Sequence, residues 1–337
     1  MTIQFFHLLP NFRSLHHLRD QLQDNVDNVH QQQQYKLQQE EGISFAVAGF
    51  PKCGTTFLLQ MLGRHPEIVM PQTEFCDLVK KDGVNRTRLL LQDMMTKQSS
   101  PKPLKYGIKC PAMVRDTNAI ETLTKMSDDT RLIVGLRHPV LFFASFYNFR
   151  VWGHYKFNLT TPILSPFKLT DGSEKTFHDV HVAHARFDNF LMQLAKVPLS
   201  KSELHRMLNS DNVWKKRISP NPFQIFIYTD DQLQHGNTSQ FARDLQHFLG
   251  LETPLPDLNS EPRANDGSSR PTFPETINIC DAKFERIRSK LLQHGKESSK
   301  WITEKFIESK DVTVSDKKFF IESLRTWGDD PCALVTT

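Results

Sequence analysis

The apolar positions change their period near residue 42. Upstream, Leu15, Leu18, Leu22, Val26 and Val29 recur at intervals of 3, 4, 4 and 3, a single helical stripe set in a Gln-rich polar stretch that includes Gln31 to Gln34. Residues 1–41 are therefore expected to form an N-terminal extension, a helix that lies along the body or meets a partner, and 42–337 a single domain. From Ile43 the apolar residues cluster in short β-rich runs, at Ile43 to Ala48, Ile68 to Met70, Tyr106 to Lys109, Leu132 to Leu136 and Gln224 to Tyr228. Stretches of helical period lie between them: Thr55 to Leu62 aligns Phe57, Leu58, Met61 and Leu62, and further patterns cover Thr117 to Met126 and run on from Val140. This alternation predicts an α/β fold of three layers, a central parallel sheet flanked by helices. The Pro-, Asp-, Asn- and Ser-rich segment from Glu252 to Pro274 predicts a long loop, after which a helical tail is expected to run to Trp327.

Composition narrows the function classes. The 337 residues are 38% hydrophobic and 24% charged with 25 phenylalanines, which excludes wholesale disorder. Lys plus Arg less Asp plus Glu is 42 − 38 = +4, too mild for a nucleic-acid binder, so any anion site must be local. The apolar run near the start, Ile3 to Pro10, is interrupted by Gln4 and His7 and falls far short of the ~20 residues of a membrane span. It also lacks a basic flank, so the expectation is a soluble, cytoplasmic protein, luminal or Golgi only if the N-terminus is incomplete. Five cysteines, none in a CxxC pair or a zinc spacing, predict a reducing compartment. His178, His181 and His184 drift round a helix without a completing carboxylate or Cys, so they read as a polar helix face, and no metal site is expected.

Chemistry concentrates where the strands end. Ligands of parallel sheets bind outside the carboxyl ends of the strands, and the stretch from Gly49 to Thr56, Glu74, Lys109 and Arg137 all fall there. Gly49-Phe-Pro-Lys-Cys-Gly54-Thr55-Thr56 has the G-x4-G frame of a phosphate-binding loop, whose backbone N–H groups and following helix N-terminus face an anion. Position 55 is Thr where a nucleoside triphosphatase carries Lys, and the nearby cation, Lys52, sits inside the loop. No magnesium carboxylate follows Leu132 to Leu136, which runs straight into Arg137. Arg137-His-Pro139 with Ser145 joins a fixed-charge fork to a hydroxyl, suited to a terminal phosphate. Two separated anion sites describe a nucleotide with a 5′ group and a 3′-phosphate. Cys53, in an electropositive loop at a helix start, is expected to carry a lowered pKa, incidental to catalysis.

These residues carry a resemblance. Pro51-Lys52-Cys53-Gly54-Thr55-Thr56 resembles the 5′-phosphosulfate loop of sulfotransferases that use 3′-phosphoadenosine 5′-phosphosulfate (PAPS), and Arg137-x-Pro139 with Ser145 resembles their 3′-phosphate motif. Phe241 to Leu251 resembles their late helix, and the likeness covers roughly Ser44 to Leu251. Met70-Pro-Gln-Thr-Glu74 and Lys109-Cys-Pro-Ala112 are similar to the heparan-sulfate, or carbohydrate, type of that superfamily. Phe142 stands where many members have a second Arg, and Gly267-Ser268-Ser269-Arg270-Pro271 replaces their late Lys-Gly-Arg stretch.

The resemblance implies sulfuryl transfer from PAPS to a hydroxyl or amine of a small molecule or glycan. It implies catalytic roles for Glu74 as base, Lys52 at the leaving phosphate and Lys109 at the sulfuryl oxygens or the acceptor. Nucleotide binding is implied for Lys52, Cys53, Gly54, Thr55, Thr56, Arg137, Ser145, Ser269 and Arg270. Taken alone, Glu74 also reads as a carboxylate favoured at a helix start. Two other classes stay open, a phosphoryl-transfer enzyme on the same loop frame and an idle nucleotide-binding module. Acceptor choice is expected to lie in loops such as Trp152 to Lys175.

Overall fold

A computed structural model describes residues 42–97, 104–127, 129–157, 167–168, 174–175, 177–194, 200–201, 223–258 and 271–333. The helical stripe from Leu15 to Val29, and with it most of the proposed extension, lies outside the described residues. From Ile43 onward the described chain packs as one compact unit.

Six strands form a wholly parallel sheet: β1 (Phe45–Val47), β2 (Ile68–Val69), β3 (Lys105–Lys109), β4 (Arg131–Leu136), β7 (Gln224–Thr229) and β8 (Val312–Val314), in the order β2-β3-β1-β4-β7-β8. A separate antiparallel pair, β5 (Phe167–Lys168) and β6 (Glu174–Lys175), interrupts the stretch expected to be loop. The main helices are α1 (Thr55–Leu62), α2 (Gly83–Thr96), α3 (Thr117–Met126), α4 (Pro139–Phe157), α5 (Phe177–His184), α6 (Phe187–Leu191), α7 (Asp230–Gln234), α8 (Thr238–Leu249), α9 (Glu285–Trp301) and α10 (Lys317–Arg325).

The three layers follow from side-chain alternation along central strands that are buried on both faces. Phe45 and Val47 of β1, Ile133 of β4, and Phe226 and Tyr228 of β7 pack with Leu58, Met61 and Leu62 of α1 and with Phe241 and Leu245 of α8. Ala46, Leu132, Val134, Ile225 and Ile227 face the other way, onto Phe142, Phe143, Leu291, Ile302 and Trp327. Local signals set several helix ends: Asp116 accepts the Ala119 amide at 2.9 Å to start α3, and Asn237 accepts that of Gln240 at 3.0 Å to start α8. Gly250, at φ 67°, closes α8 in the left-handed conformation.

Two expectations need correction. The tail to Trp327 is not wholly helical: between α9 and α10 the chain supplies β8, which adds an edge strand through Ile225↔Val312 and Ile227↔Val314. Three residues are too short a run to show a strand period, so only their pairing partner reveals them. Nor do the cysteines stay reduced. Cys76 pairs with Cys110 and Cys280 with Cys332, leaving Cys53 free and buried. Pairing across 34 and 52 residues is a property of the folded chain that no local spacing announces.

Candidate functional site

The chain crosses from one flank of the sheet to the other at β1, whose neighbours are β3 and β4. The crevice opens at the carboxyl ends of these strands, and β7 adds a fourth end beside β4.

The loop after β1 turns tightly against β4. At Gly49 a Cβ would sit 2.3 Å from the Gly135 nitrogen, so only glycine lets the loop leave β1 this close to β4. Lys52 and Gly54 both adopt the left-handed conformation, at φ 67° and 74°. That conformation strains a lysine, and it is stored inside the candidate site. No side chain caps α1 at Gly54, which leaves its first amides to another acceptor. Thr55 is buried and Thr56 half-buried at that helix start. The Lys52 ammonium lies 5.1 Å from the centroid of the Phe149 ring on α4.

Two residues that sequence reasoning missed hold this loop from β7. The Tyr228 hydroxyl donates to the Cys53 carbonyl at 2.7 Å, and burial together with the nearby Asp230 carboxylate raises its pKa well above the ordinary phenol value. Asp230, the first residue past β7, lies 3.4 Å from Arg137 Nε. Arg137, the residue after β4, also donates to the Lys52 carbonyl at 3.1 Å, so its guanidinium braces the loop. No carboxylate directly follows β4, but Asp230 at the end of the neighbouring β7 supplies one beside it. The signal was present in Tyr228-Thr229-Asp230 at a strand's carboxyl end, though strand order decides which strand stands beside β4.

Cys53 departs from its expected reactivity. Burial, reinforced by Asp230, pushes the thiol well above the usual range despite opposing contributions from Arg137 and Lys52, and Sγ approaches the Pro51 carbonyl at 3.6 Å. A sealed thiol beside a carboxylate is inert, so its contribution to the loop is its backbone.

Lys109 ends β3 with its side chain 1% exposed. Its ammonium donates to Thr56 Oγ1 at 3.3 Å and to the Glu74 carboxylate. Desolvation lowers the Lys109 pKa, and Glu74 opposes that fall. Glu74 lies in the segment between β2 and a short 3₁₀ turn at Asp77–Val79, with its side chain 55% exposed. The Phe75 amide donates to the Lys109 carbonyl at 2.9 Å, tying that segment to β3. Lys109, Glu74 and Thr56, distant in sequence, are thus brought into one hydrogen-bonded group.

Ser145 lies half-buried on α4. Ser269 and Arg270 lie outside the described residues, but the chain just beyond them is docked on α4. Asn148 donates to the Ile277 carbonyl and accepts the Ile277 amide, both at 2.9 Å, and Tyr155 stacks on Phe273 with ring centroids 4.3 Å apart. His181 and His184 are not a solvated polar face. His181 is buried against the Phe146 ring, its Nδ1 lies 3.0 Å from that of His184, and the Arg115 guanidinium lies 2.9 Å from His184 Nδ1. Burial and Arg115 hold His184 down at about 3, and burial and Arg150 bring Arg115 to about 10. Among the described residues no cluster of three or more His, Cys, Asp or Glu is arranged to hold a metal, and no helix is long and apolar enough to cross a membrane.

The six-stranded parallel sheet with helices on both faces is consistent with a sulfotransferase-like or P-loop-like fold. No protein-family model matches the chain, and no curated protein matches it. Among solved structures it is similar to a sulfotransferase from Alicyclobacillus acidocaldarius, 14% identical, covering 74% of this chain and 94% of that one at a TM-score of 0.37. It is also similar to the sulfotransferase domain of the curacin biosynthetic pathway, 14% identical over 67% of this chain and 81% of that one, TM-score 0.37. A third, the sulfotransferase domain of the Synechococcus PCC 7002 olefin synthase, is 15% identical over 66% and 78%, TM-score 0.36.

Proposed function

We propose that the chain is a sulfotransferase that moves the sulfuryl group of PAPS to a hydroxyl or amine of a small-molecule or glycan acceptor. The observation that carries this reading is the Lys109 ammonium, which joins Thr56 of the anion-cradling loop to the Glu74 carboxylate. A cation placed between the two would stabilise charge on the transferred group, and here one buried ammonium touches both Thr56 and Glu74.

The chain's residues fit the donor nucleotide. The open amides at the start of α1, with Lys52 and Thr55, suit a 5′-phosphosulfate, and the Arg137 donors beyond those engaged with Lys52 and Asp230 suit a 3′-phosphate together with Ser145. In the reaction the acceptor oxygen or nitrogen forms a bond to sulfur as the bond from sulfur to the 5′-phosphate oxygen breaks. The acceptor's proton passes to Glu74, and Lys52 with the loop amides carries the charge developing on the departing phosphate. Lys109 orients Glu74 and faces the transferred group. The resemblance of the Met70 to Glu74 and Lys109 to Ala112 motifs to the heparan-sulfate type supports a carbohydrate acceptor. The two disulfides favour an oxidising compartment over the cytoplasm.

Asp230 beside the loop gives the phosphoryl-transfer reading one observation in its favour. Its contact with Arg137, and the Gln234 amide donating to it at 2.6 Å, support a bracing role instead. Calorimetry with 3′-phosphoadenosine 5′-phosphate and with ATP, each with magnesium and with a chelator, separates the two. Chelator-insensitive binding of the bisphosphate, followed by label transfer from PAPS to a glycan or small-alcohol panel, is expected. Tight ATP binding that requires magnesium would overturn the proposal.

A further inference from the structure

We propose that the Cys76–Cys110 disulfide is a positioning device that holds Glu74 against Lys109. Its two ends fall beside the two residues. Cys110 directly follows Lys109 and is fully buried, with its amide donating to the Val47 carbonyl of β1 at 3.0 Å. Cys76 lies two residues past Glu74, at the start of the 3₁₀ turn, with Cα atoms 5.0 Å apart across the bridge.

The segment that carries Glu74 needs such a tie. It hangs from β2, a two-residue strand that pairs, among the described residues, with β3 alone. Gln72, Thr73 and Glu74 are exposed, so burial does little to order them. The Phe75 amide bond to the Lys109 carbonyl is a single hydrogen bond, and an acceptor entering the crevice would compete with Lys109 for the Glu74 carboxylate. A covalent link anchored on the buried end of β3 keeps the carboxylate within reach of the ammonium through that exchange. Cys280–Cys332 instead joins the approach to α9 with the chain after α10, neither of which carries Glu74 or Lys109, and serves as the internal control.

The inference rests on the base role proposed for Glu74, so the test pairs turnover with a readout independent of it. In the Cys280→Ala/Cys332→Ala chain the remaining bridge is Cys76–Cys110. Dithiothreitol converts that bridge to two thiols as the reagent closes to its own cyclic disulfide, and removal of the reagent with added oxidised glutathione reforms it. Reduction is expected to lower kcat at least tenfold with KM for PAPS little changed, to speed hydrogen exchange at the Phe75 amide at least tenfold, and to be reversed on reoxidation. Cys76→Ala/Cys110→Ala should reproduce the reduced state, and Cys280→Ala/Cys332→Ala before reduction should match the parent chain. Unchanged Phe75 exchange on reduction would overturn the inference, whether or not the chain transfers sulfate. So would faster exchange with unchanged kcat, or equal loss of kcat in the two double variants. If PAPS gives no transfer in the parent chain, the proposed function fails and Phe75 exchange alone decides the positioning claim.

Discussion

The Lys109 ammonium, sealed from solvent at the end of β3, donates at once to the exposed carboxylate of Glu74 and to Thr56 Oγ1 at the start of α1. One buried cation therefore connects the loop after β1 to the segment after β2.

Separating the two partners of that pair tests the mechanism. Glu74→Gln keeps shape and removes the proposed base, so transfer should fall by about 10² or more while affinity for 3′-phosphoadenosine 5′-phosphate stays near that of the parent chain. Lys109→Met replaces a desolvated ammonium with an apolar stem of similar length. It should also impair transfer yet leave stability within about 1.5 kcal/mol, because burial already penalises the charge. Single-turnover kinetics and urea unfolding report the two quantities. An active Glu74→Gln chain beside an inactive Lys52→Ala chain would move the base elsewhere.

Arg137 braces the loop through the Lys52 carbonyl, and substitution can divide that role from the 3′-phosphate binding proposed for it. Arg137→Ala should cost about 1.5 to 3 kcal/mol of affinity for the 3′-phosphorylated nucleotide, and less for adenosine 5′-phosphate. Asp230→Asn removes the competing carboxylate and should leave the 3′-phosphate discrimination intact. Calorimetry with both nucleotides checks this, and equal losses for both ligands in Arg137→Ala would assign the residue to loop bracing alone.

Tyr228→Phe deletes the buried hydroxyl that holds the Cys53 carbonyl. The expected cost is about 1 to 3 kcal/mol of stability, since that carbonyl loses its donor, with weaker binding at the loop. Thermal unfolding with and without the bisphosphate nucleotide measures both effects.

Acid should weaken the fold through His184. Burial keeps its imidazole neutral down to about 3, whereas the unfolded side chain protonates near 6.5. Between those values the unfolded state binds the extra proton, so stability falls as pH drops from 6.5 towards 3, by about 1.4 kcal/mol per unit from this group. Urea unfolding at pH 7, 6 and 5 should show a slope shallower by about one proton in His184→Gln. An unchanged slope would place the titrating group elsewhere.

The chain's own order of residues determined the alternation of strand and helix, the loop between Gly49 and Thr56, and the positions of Glu74, Lys109 and Arg137 at strand ends. Each of these is local: a period of 2 or 3.6, a glycine frame, a charge following an apolar run. Thr55–Leu62 is a helix over the residues its apolar spacing marked out. What tertiary structure alone decided is adjacency. The pairing of β7 with β4 brings Asp230 and Tyr228 to the loop, and the packing of β3 beside β1 sets Lys109 against Thr56. The closure of Cys76 on Cys110 and the late arrival of Val312–Val314 at the sheet edge are of the same kind. Cys53 is the sharpest case: its electropositive neighbours were legible along the chain, but burial outweighs their Coulomb contribution and raises the thiol. Desolvation depends on everything packed around a group, so it exists only once distant segments have met.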